Sequence, residues 1–500
     1  MLAAVTDASL NLWPFAVLLI SLIAIIVLIT VLRVHAFLAL ILAAVLAGIL
    51  AGRFDDKVLK DQPQSFRDKL KTQSHWVQAV ELTTVEFGAT AGKIGVVIAL
   101  ASVISMCLME SGAADKVVRR FIALFGEKRA GAAIAASSYI LSVPIFFDTF
   151  FMLLLPLARA MRIRTGRDYL LYVMAICCGG TVTHSLLAPH PGPLAMAETL
   201  KVDLGMTIML GLVVGVIPTM ASWFAVKWIN RRMDIPLREA GGVPLADLET
   251  IVKQREDELP SFLASIVPVI LPILLISLAS FVDAANKKPE TFSLLVLLCG
   301  GKESFAGIGR VIEFIGNRNI ALLLGAVIAM IVLMRQKGVT LARIGDMIGP
   351  SFETAGVIIL ITSAGGAFGL MLKNAGVGEA IKATVEGHDI SLILLSWTVA
   401  AVIRIAQGSA TVAMLTTAAM IYEIIAGGTP LPYHHVYIFM SIGFGAMMLS
   451  WMNDSGFWVV GKLSGFTEKE TLKSWTLVVS VNSVVGLIVC LILSKLLPLA

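Results

Sequence analysis

The sequence predicts an all-α polytopic membrane protein with two inverted-topology repeats, each containing a re-entrant hairpin and a broken transmembrane helix. Three observations lead to this fold class. Hydrophobic residues make up 57% of the 500 and charged residues only 15%, a composition that excludes an ordinary soluble domain. Two apolar runs break down midway into Pro, Gly, His, Asn and Asp: GGTVTHSLLAPHPGP at 179–193 and GFGAMMLSWMNDSG at 443–456. A shift of 264 residues superposes these two stretches.

The two broken stretches carry the functional expectation. Unpaired backbone groups are costly in hydrocarbon, so irregular backbone persists at membrane depth only against protein or a water-filled cavity. Titratable side chains at that depth mark a functional site by default. Two such breaks are typical of secondary transporters, whose binding site lies between discontinuous helices near the bilayer midplane.

Residues 1–229 form the first predicted repeat. Short basic links mark the cytoplasmic side, which puts the N-terminus outside, before spans at 13–32 and 36–51. The polar stretch 53–92 has no span of its own and is therefore expected outside. It is followed by a span at 92–109.

The hairpin of this repeat is expected at about 130–160. It is apolar, it is interrupted at 142–150, and basic residues flank it on both sides. Both of its ends are therefore predicted to face the cytoplasm, which makes the segment re-entrant. A broken helix follows at about 168–200, and a span at 206–228 returns the chain to the cytoplasm.

The polar and basic stretch 230–260 is the predicted cytoplasmic linker, and 261–500 is the second repeat. Its hairpin is expected at about 389–423, and its broken helix at about 435–463. Few basic residues flank this hairpin, which suits entry from outside. The remaining spans are predicted at 261–282, 320–334, 351–372 and 472–497.

One ungapped register relates the two halves over more than a hundred residues. The alternative is that Gly- and Ala-rich helices match by coincidence, but the length of the match between the two halves argues against this. Charge places the start of the first copy outside and that of the second inside, so the repeats are predicted to be inverted, the architecture that underlies alternating access. The matched pairs include Thr90 with Thr354, Gly179 with Gly443, His190 with Asp454, Gly192 with Gly456, and Pro144 with Gly408.

Five motifs in these segments carry a family resemblance. The first half contains SVPIFFDTFF at 142–151 and THSLLAPHPGP at 183–193. The second half contains AGGAFG at 364–369, IRIAQGSATVAM at 403–414 and NDSGFW at 453–458. On these motifs the chain resembles the gluconate permease family, the gluconate:proton symporters of the ion transporter superfamily, over most of its length.

The resemblance implies a secondary active transporter, not an enzyme, that imports a small organic anion such as gluconate or a related sugar acid by proton symport. It further implies a multi-pass protein of the cell inner (plasma) membrane, a homodimer, and an elevator-like movement. Alternatives are a carrier of D-serine or another hydroxy acid, a sodium-coupled carboxylate transporter, a channel, and a membrane-embedded hydrolase that uses Asp148 and Asp454. No cofactor or metal is predicted, because no metal-ligand spacing is present. No nucleic-acid partner is predicted either, because the net charge of +5 lies mostly in short loops.

Asp148, beside the interruption of the first hairpin, is the first candidate for proton coupling. An ionised carboxylate is costly at that depth, which suits a proton carrier. The alternative is a cap on the second half-helix of the hairpin. The neighbouring Thr149 is predicted to contact the substrate.

Four residues of the first helix break belong to the predicted binding site. His184 and His190 could hydrogen-bond substrate hydroxyls, and His190 could also relay a proton. The alternative is a pair of structural histidines that satisfy carbonyls of the broken helix. Thr183 and Gly192 complete this part of the site.

Arg404 is the only basic residue in the apolar run of the second hairpin. A guanidinium can bind a carboxylate through two hydrogen bonds, so Arg404 is the predicted partner of the substrate carboxylate. Snorkelling, or a structural pair with a nearby acid, is the alternative. Small residues at the hairpin tip let backbone N–H groups and hydroxyls approach an anion. The tip consists of Gln407, Gly408, Ser409, Ala410 and Thr411.

The second helix break adds Asn453, Asp454 and Ser455 to the predicted binding site. Asp454 could bind a proton or a cation, or accept hydrogen bonds from sugar hydroxyls, and a helix cap is the alternative. Proton coupling therefore has three open candidates, Asp148, His190 and Asp454.

Overall fold

The computed structural model describes residues 12–52, 54, 63–126, 129–238, 258–287, 302–377, 380, 391–426, 431–452 and 454–499. Within these residues the regular secondary structure is helical, and no β-strand is present. The all-α prediction is therefore confirmed. The described residues contain seven helical segments that are long and apolar enough to cross a membrane, two of which, Tyr169–Leu200 and Leu204–Asn230, each consist of two consecutive helices. This is expected of a polytopic protein.

The N-terminal helices differ from the prediction in one place. They are α1 (Trp13–Ile26, continued by a π-helix at Val27–Val31), α2 (Ala36–Leu50), α3 (Gln64–Lys71), α4 (His75–Glu110) and α5 (Ala113–Phe125). The stretch 53–92 was predicted to contain no span, yet its described part holds α3 and the first half of the 36-residue α4. Ala79, Leu82 and Thr83 are buried along α4. Gln78, Glu81 and Glu86 interrupt the apolar residues of this half of α4, so the sequence shows no long apolar run there.

Two interrupted helical segments occupy the stretches in which the first hairpin and the first broken helix are expected. The helices of this region are α6 (Ala130–Leu141), α7 (Phe147–Thr165), α8 (Tyr169–Leu186), α9 (Pro191–Leu200), α10 (Leu204–Val214) and α11 (Val216–Asn230). The hairpin turns at 142–146, and the broken helix is interrupted at 187–190. Pro191 is the first residue of α9, a position at which its missing N–H removes no helical hydrogen bond.

The second half repeats this order of a hairpin followed by a broken helix. Its helices are α12 (Phe262–Lys287), α13 (Lys302–Ile315), α14 (Arg318–Lys337), α15 (Leu341–Asn374), α16 (Leu392–Gln407), α17 (Ala410–Ala426), α18 (Val436–Gly445), α19 (Ser455–Ser464) and α20 (Glu468–Leu496). The span predicted at 351–372 is part of the 34-residue α15. The short helix α13 was not predicted.

Helix boundaries repeat with the same 264-residue shift as the sequence motifs. Under that shift α9 coincides with α19, and α4 falls on 339–374, two residues longer than α15. Gly112 and Gly376, which follow α4 and α15, have φ angles of 75° and 74°, a left-handed conformation that favours glycine. The two halves therefore share local structure as well as sequence. Their inversion across the membrane stays a prediction.

The helices pack in two groups. In the first group α4 and α15 lie against each other, α2 packs on both, and α14 packs on α4 and α12. In the second group α8 packs on α6, α7, α11 and α20, while α18 packs on α16 and α20. α9 and α17 contact each other and α15, and so connect the hairpins and broken helices to the first group.

Two equivalent glycines let broken helices approach their neighbours closely. A Cβ atom at Gly179 would lie 2.8 Å from the backbone nitrogen of Tyr139, and one at Gly443 would lie 2.6 Å from the carbonyl oxygen of Ser185. Because backbone atoms cannot move aside cheaply, such overpacking costs about 1–3 kcal/mol. We expect Gly179→Ala and Gly443→Ala each to lower the midpoint of thermal unfolding, measured in detergent, by several degrees.

Gly92 and Gly356, another equivalent pair, provide the matched control. A Cβ atom at either position has no described neighbour within 4 Å. Glycine in a helix is less favourable than alanine by about 0.5–1 kcal/mol, so Gly92→Ala and Gly356→Ala are expected to keep or raise the midpoint. Similar shifts in all four variants would contradict the close-approach explanation.

Candidate functional site

A cavity of about 460 Å³ lies where the two hairpin tips meet the two helix breaks. Its volume is within the roughly 300–1,000 Å³ that is typical of small-molecule sites. Side chains from both halves of the chain surround it. The predicted residues that line it are His184, Arg404, Gly408, Ser409, Ala410, Thr411, Asp454 and Ser455.

Four helices begin at the wall of this cavity. The first residues of α7, α9, α17 and α19 border it, namely Phe147, Pro191, Ala410 and Ser455. Each helix N-terminus carries partial positive charge, because backbone N–H groups of its first turn have no partner within the helix. In α9, where Pro191 and Pro193 lack an N–H, Gly192 supplies the one such group among the first three residues. Four such termini at one cavity favour a bound anion.

Arg404 adds a full positive charge. It lies in the last turn of α16, which ends because Gly408 adopts a φ of 87° and its N–H donates to the Arg404 carbonyl oxygen at 2.9 Å. The Arg404 side chain is only 5% exposed. Its Nη2 donates a hydrogen bond to Oδ2 of Asp454, whereas Nε and Nη1 have no hydrogen-bond partner among the described residues. The guanidinium therefore presents two further donors.

Asp454 is held in place by two contacts besides the one to Arg404. Its Oδ1 accepts a hydrogen bond from the Gly456 N–H at 3.1 Å, which makes Asp454 the N-cap of α19. Its Oδ2 also accepts from the Ser450 hydroxyl, and Trp475 Nε1 donates to that same hydroxyl oxygen at 2.6 Å. The helix cap, which was the alternative for Asp454, is thus present. It coexists with an ion pair at the cavity.

The two histidines occupy different positions. His184 lines the cavity, and its Nδ1 is buried with no hydrogen-bond partner in the described part of the chain. His190 is 1% exposed, its ring centroid is 4.6 Å from that of His184, and its Nε2 donates to the Ser142 carbonyl oxygen at 2.7 Å. His184 is therefore placed to contact a ligand. The contact of His190 with the first hairpin tip favours the structural alternative for that residue.

Thr183 and Gly192 are near the cavity but do not line it. Thr183 is buried and hydrogen-bonded to the Ser142 hydroxyl, and Gly192 packs against Met414 of α17. Both residues thus join a hairpin to the first broken helix instead of facing a ligand. Four predicted site residues lie outside what the structure describes: Asn453 as a whole, and the side chains of Asp148, Thr149 and Gln407.

Sequence reasoning missed several polar residues at the cavity. Thr181 and Ser185 line it together with His184, and their spacing along one helix face was a signal that could have identified them. Thr354 also lines it, although it was noted only as a repeat position. Trp475 carries no local signal, because its part in the site depends on a contact with Ser450, 25 residues away in the sequence.

No metal-binding cluster exists within the described ranges. There, no three His, Cys, Asp or Glu side chains lie close enough to share an ion. Among the described residues, the cavity is lined by one arginine, one carboxylate, one histidine, hydroxyl groups and helix N-termini. This set of groups can bind and orient a hydroxylated anion.

Residues 13–69 and 76–496 match the GntP family permease. The chain belongs to this family. A gluconate permease of Pseudomonas aeruginosa is 33% identical over 479 residues, which cover 95% of this chain and 96% of the relative. The Gnt-II system L-idonate transporter of Escherichia coli K12 is 32% identical over 403 residues, which cover 80% and 85% of the two chains. The resemblance carried by the five motifs is thereby confirmed.

Family membership confirms that this permease is a transport protein and not an enzyme. Together with its apolar helices, it also confirms the predicted multi-pass location in an inner membrane. The fold is similar to that of a solved structure, the Alcanivorax borkumensis YdaH transporter, which is reported to have an unusual topology. The TM-score is 0.61 at 13% sequence identity, and the match covers 93% of this chain and 100% of that chain. At this identity the likeness shows a common fold only.

Proposed function

We propose that this permease is a secondary active transporter that imports gluconate or a related sugar acid by proton symport. The observation that carries the proposal is the buried Arg404 guanidinium, which has two donors without described partners at a cavity bordered by four helix N-termini. A buried cation with spare donors is suited to a carboxylate. The names of the two relatives above, a gluconate permease and an L-idonate transporter, point to the same class of substrate.

The polar lining of the cavity supports a hydroxylated acid. Thr181, Ser185, Ser409 and Thr411 place hydroxyl groups around it, and His184 adds an imidazole. Hydroxyl and imidazole groups can each donate to and accept from sugar hydroxyls. Such a site discriminates strongly against analogues without hydroxyl groups, because its own polar groups are then left unpaired.

The cavity suits a sugar acid better than D-serine. Asp454 is the one carboxylate among the described residues that line the cavity, and it is already paired with Arg404. The ammonium group of an amino acid bound at Asp454 would therefore compete with Arg404 for that carboxylate. A sugar acid carries no such group and leaves this pair intact.

The transport cycle proposed here moves the hairpins and broken helices against the α4–α15 pair. These elements contact each other through α9, α15 and α17, and also through α5, which packs on α6 and α12, and through α10, which packs on α12. An elevator-like movement would slide one set of helices along these contacts. Asp148, His190 and Asp454 remain the candidates for carrying the proton. A homodimer is part of the same proposal.

Uptake by purified protein in liposomes tests this function. An inward proton gradient should drive saturable accumulation of gluconate or idonate, unlabelled substrate should exchange with it, and D-serine should compete poorly. A channel would show neither saturation nor counter-exchange, and a hydrolase would return altered substrate. Accumulation that requires a sodium gradient and ignores pH would replace proton symport with sodium coupling.

Asp148→Asn is expected to abolish uphill uptake while it preserves part of the exchange between internal and external substrate. The amide resembles the protonated carboxyl group, so the loaded carrier can still shuttle, but it cannot release a proton. The measurement compares pH-driven accumulation with counter-exchange in the same vesicles. Acid-stimulated accumulation at the wild-type level would remove Asp148 from this role and leave Asp454 and His190.

A further inference from the structure

A second cavity, of about 230 Å³, lies along the same helices as the first. It is bordered by α4, α9, α15 and α17. Its charged and aromatic residues are Glu86, Lys93, Glu198, Lys201, Lys373 and Tyr422. The site proposed above uses none of them.

The two cavities lie at different levels of shared helices. On α15, residues from Thr354 to Ile361 line the first cavity and residues from Gly366 to Lys373 line the second. On α17, Thr411 lines the first cavity and Tyr422 the second, an interval of about 16 Å at 1.5 Å per residue. Both cavities therefore follow the boundary between the α4–α15 pair and α17.

Close packing separates the cavities. A Cβ atom at Gly365 would lie 2.8 Å from Cδ1 of Leu415, and one at Gly369 would lie 2.6 Å from Cβ of Ala419. α15 and α17 thus touch without a gap between the two levels. In this conformation a solute in one cavity cannot pass to the other along this contact.

Equivalent positions of the two repeats line the two cavities. The 264-residue shift places Thr90 on Thr354 and Ile94 on Ile358. Thr90 and Ile94 line the second cavity, whereas Thr354 and Ile358 line the first. The long helices α4 and α15 therefore offer matching surfaces at two levels, as a carrier that exposes its site alternately on two sides would need.

The second cavity has an excess of positive charge. Lys93 and Lys373 both interact electrostatically with Glu86, whose carboxylate also accepts a hydrogen bond from Thr90 at 3.3 Å. Lys201 lies with its ammonium group 5.2 Å from the centroid of the Tyr422 ring. The other carboxylate, of Glu198, forms an ion pair with Arg318. Lys93 and Lys373 thus share one carboxylate, that of Glu86, which has no arginine partner among the described residues.

We propose that this second cavity is an outer vestibule that binds the substrate anion before it reaches the Arg404 site. The proposal rests on the sugar-acid function above and assigns Lys93 and Lys373 as the groups that attract the carboxylate. A cleft lined by one sign of charge raises the local concentration of an oppositely charged solute. Tyr422 adds a flat aromatic wall beside the lysines. The cavity faces outward because the basic residues of the loops place the start of α15 inside and its end outside.

The test uses the full-length protein in right-side-out membrane vesicles and measures uptake of gluconate. At low ionic strength, Lys93→Gln/Lys373→Gln is expected to raise the apparent KM roughly threefold to tenfold with an unchanged maximal rate. The difference should shrink as salt is added, because exposed charges are screened beyond about 10 Å at 0.1 M salt. Glu86→Gln should act in the opposite direction and lower the apparent KM, because it removes the carboxylate that offsets both lysines.

Lys69→Gln/Lys71→Gln is the matched control, since it removes two lysines from the nearby helix α3 that do not line the cavity. This control should keep the wild-type KM, and inside-out vesicles should show no effect of the cavity variants. Three results would each overturn the vestibule. The first is normal transport with an unchanged KM in Lys93→Gln/Lys373→Gln, the second is an equal shift of KM in the control, and the third is an effect seen only in inside-out vesicles. Wild-type vesicles that transport no sugar acid would instead overturn the proposed function, and the vestibule with it.

Discussion

Replacing Arg404 with glutamine is expected to weaken binding of the sugar acid by roughly two to four decades. A carboxylate that enters a buried site needs a paired charge or several donors, and Arg404 is the one permanently charged cation among the described residues of the cavity. Loss of a buried partner of a charge costs about 3–5 kcal/mol, which corresponds to that range of affinity. Arg404→Lys should restore little, because an ammonium group lacks the planar fork. Equilibrium binding of radiolabelled gluconate to purified protein measures the effect.

Two controls separate a ligand contact from a structural role. Arg404→Gln should weaken binding of the uncharged amide analogue far less than that of the acid. Lys462→Gln removes an exposed cation from α19, the helix that Asp454 caps, and should leave binding unchanged. If the acid and its amide lose affinity equally while the protein stays folded, Arg404 is structural, and the anion contacts must come from the helix N-termini.

Asp454→Asn is expected to destabilise the protein by about 3–5 kcal/mol, because it leaves the buried Arg404 without its carboxylate. The variant also weakens the cap of α19 and the contact with Ser450. Part of the loss should be recovered when substrate is added, since the substrate carboxylate can then pair with Arg404. Thermal unfolding in detergent, with and without gluconate, measures both effects.

The double variant Arg404→Gln/Asp454→Asn isolates the pair itself. Replacing both charges removes the uncompensated cation, so the double variant should be more stable than Asp454→Asn alone. It should also lose the stabilisation by gluconate. A double variant whose destabilisation equals the sum of the two single ones would mean that the two residues do not interact.

The hairpin tips and helix breaks at the site could be predicted because the sequence pattern that identifies each of them is local. An apolar run interrupted by Pro, Gly and polar residues identifies a hairpin tip or a helix break without knowledge of the rest of the chain. The described interruptions at 142–146, 187–190, 408–409 and 446–452 all lie within stretches where the sequence indicates a break or a hairpin. Convergence of these segments on one cavity was likewise expected from the repeat.

Pairings between distant residues could not be predicted. Arg404 and Asp454 were both identified, and a nearby acid was considered for Arg404, but 50 residues separate the partners and no local pattern links them. His190 shows the same limit, because its contact with Ser142 spans 48 residues. The first half of α4 was missed for another reason: Gln78, Glu81 and Glu86 interrupt its apolar residues, so no long apolar run reveals a span.

The ion pair at the cavity also bears on the energetics of accumulation. Arg404 and Asp454 together carry no net charge, so a monovalent acid that binds beside them adds one negative charge to a buried site. An unbalanced charge at that depth is costly, and a proton bound with each acid would cancel it. The loaded and empty carriers would then differ by no net charge, and the cycle would be electroneutral. Membrane voltage would neither drive nor oppose uptake, and each unit of pH difference, about 1.36 kcal/mol, would support about tenfold accumulation.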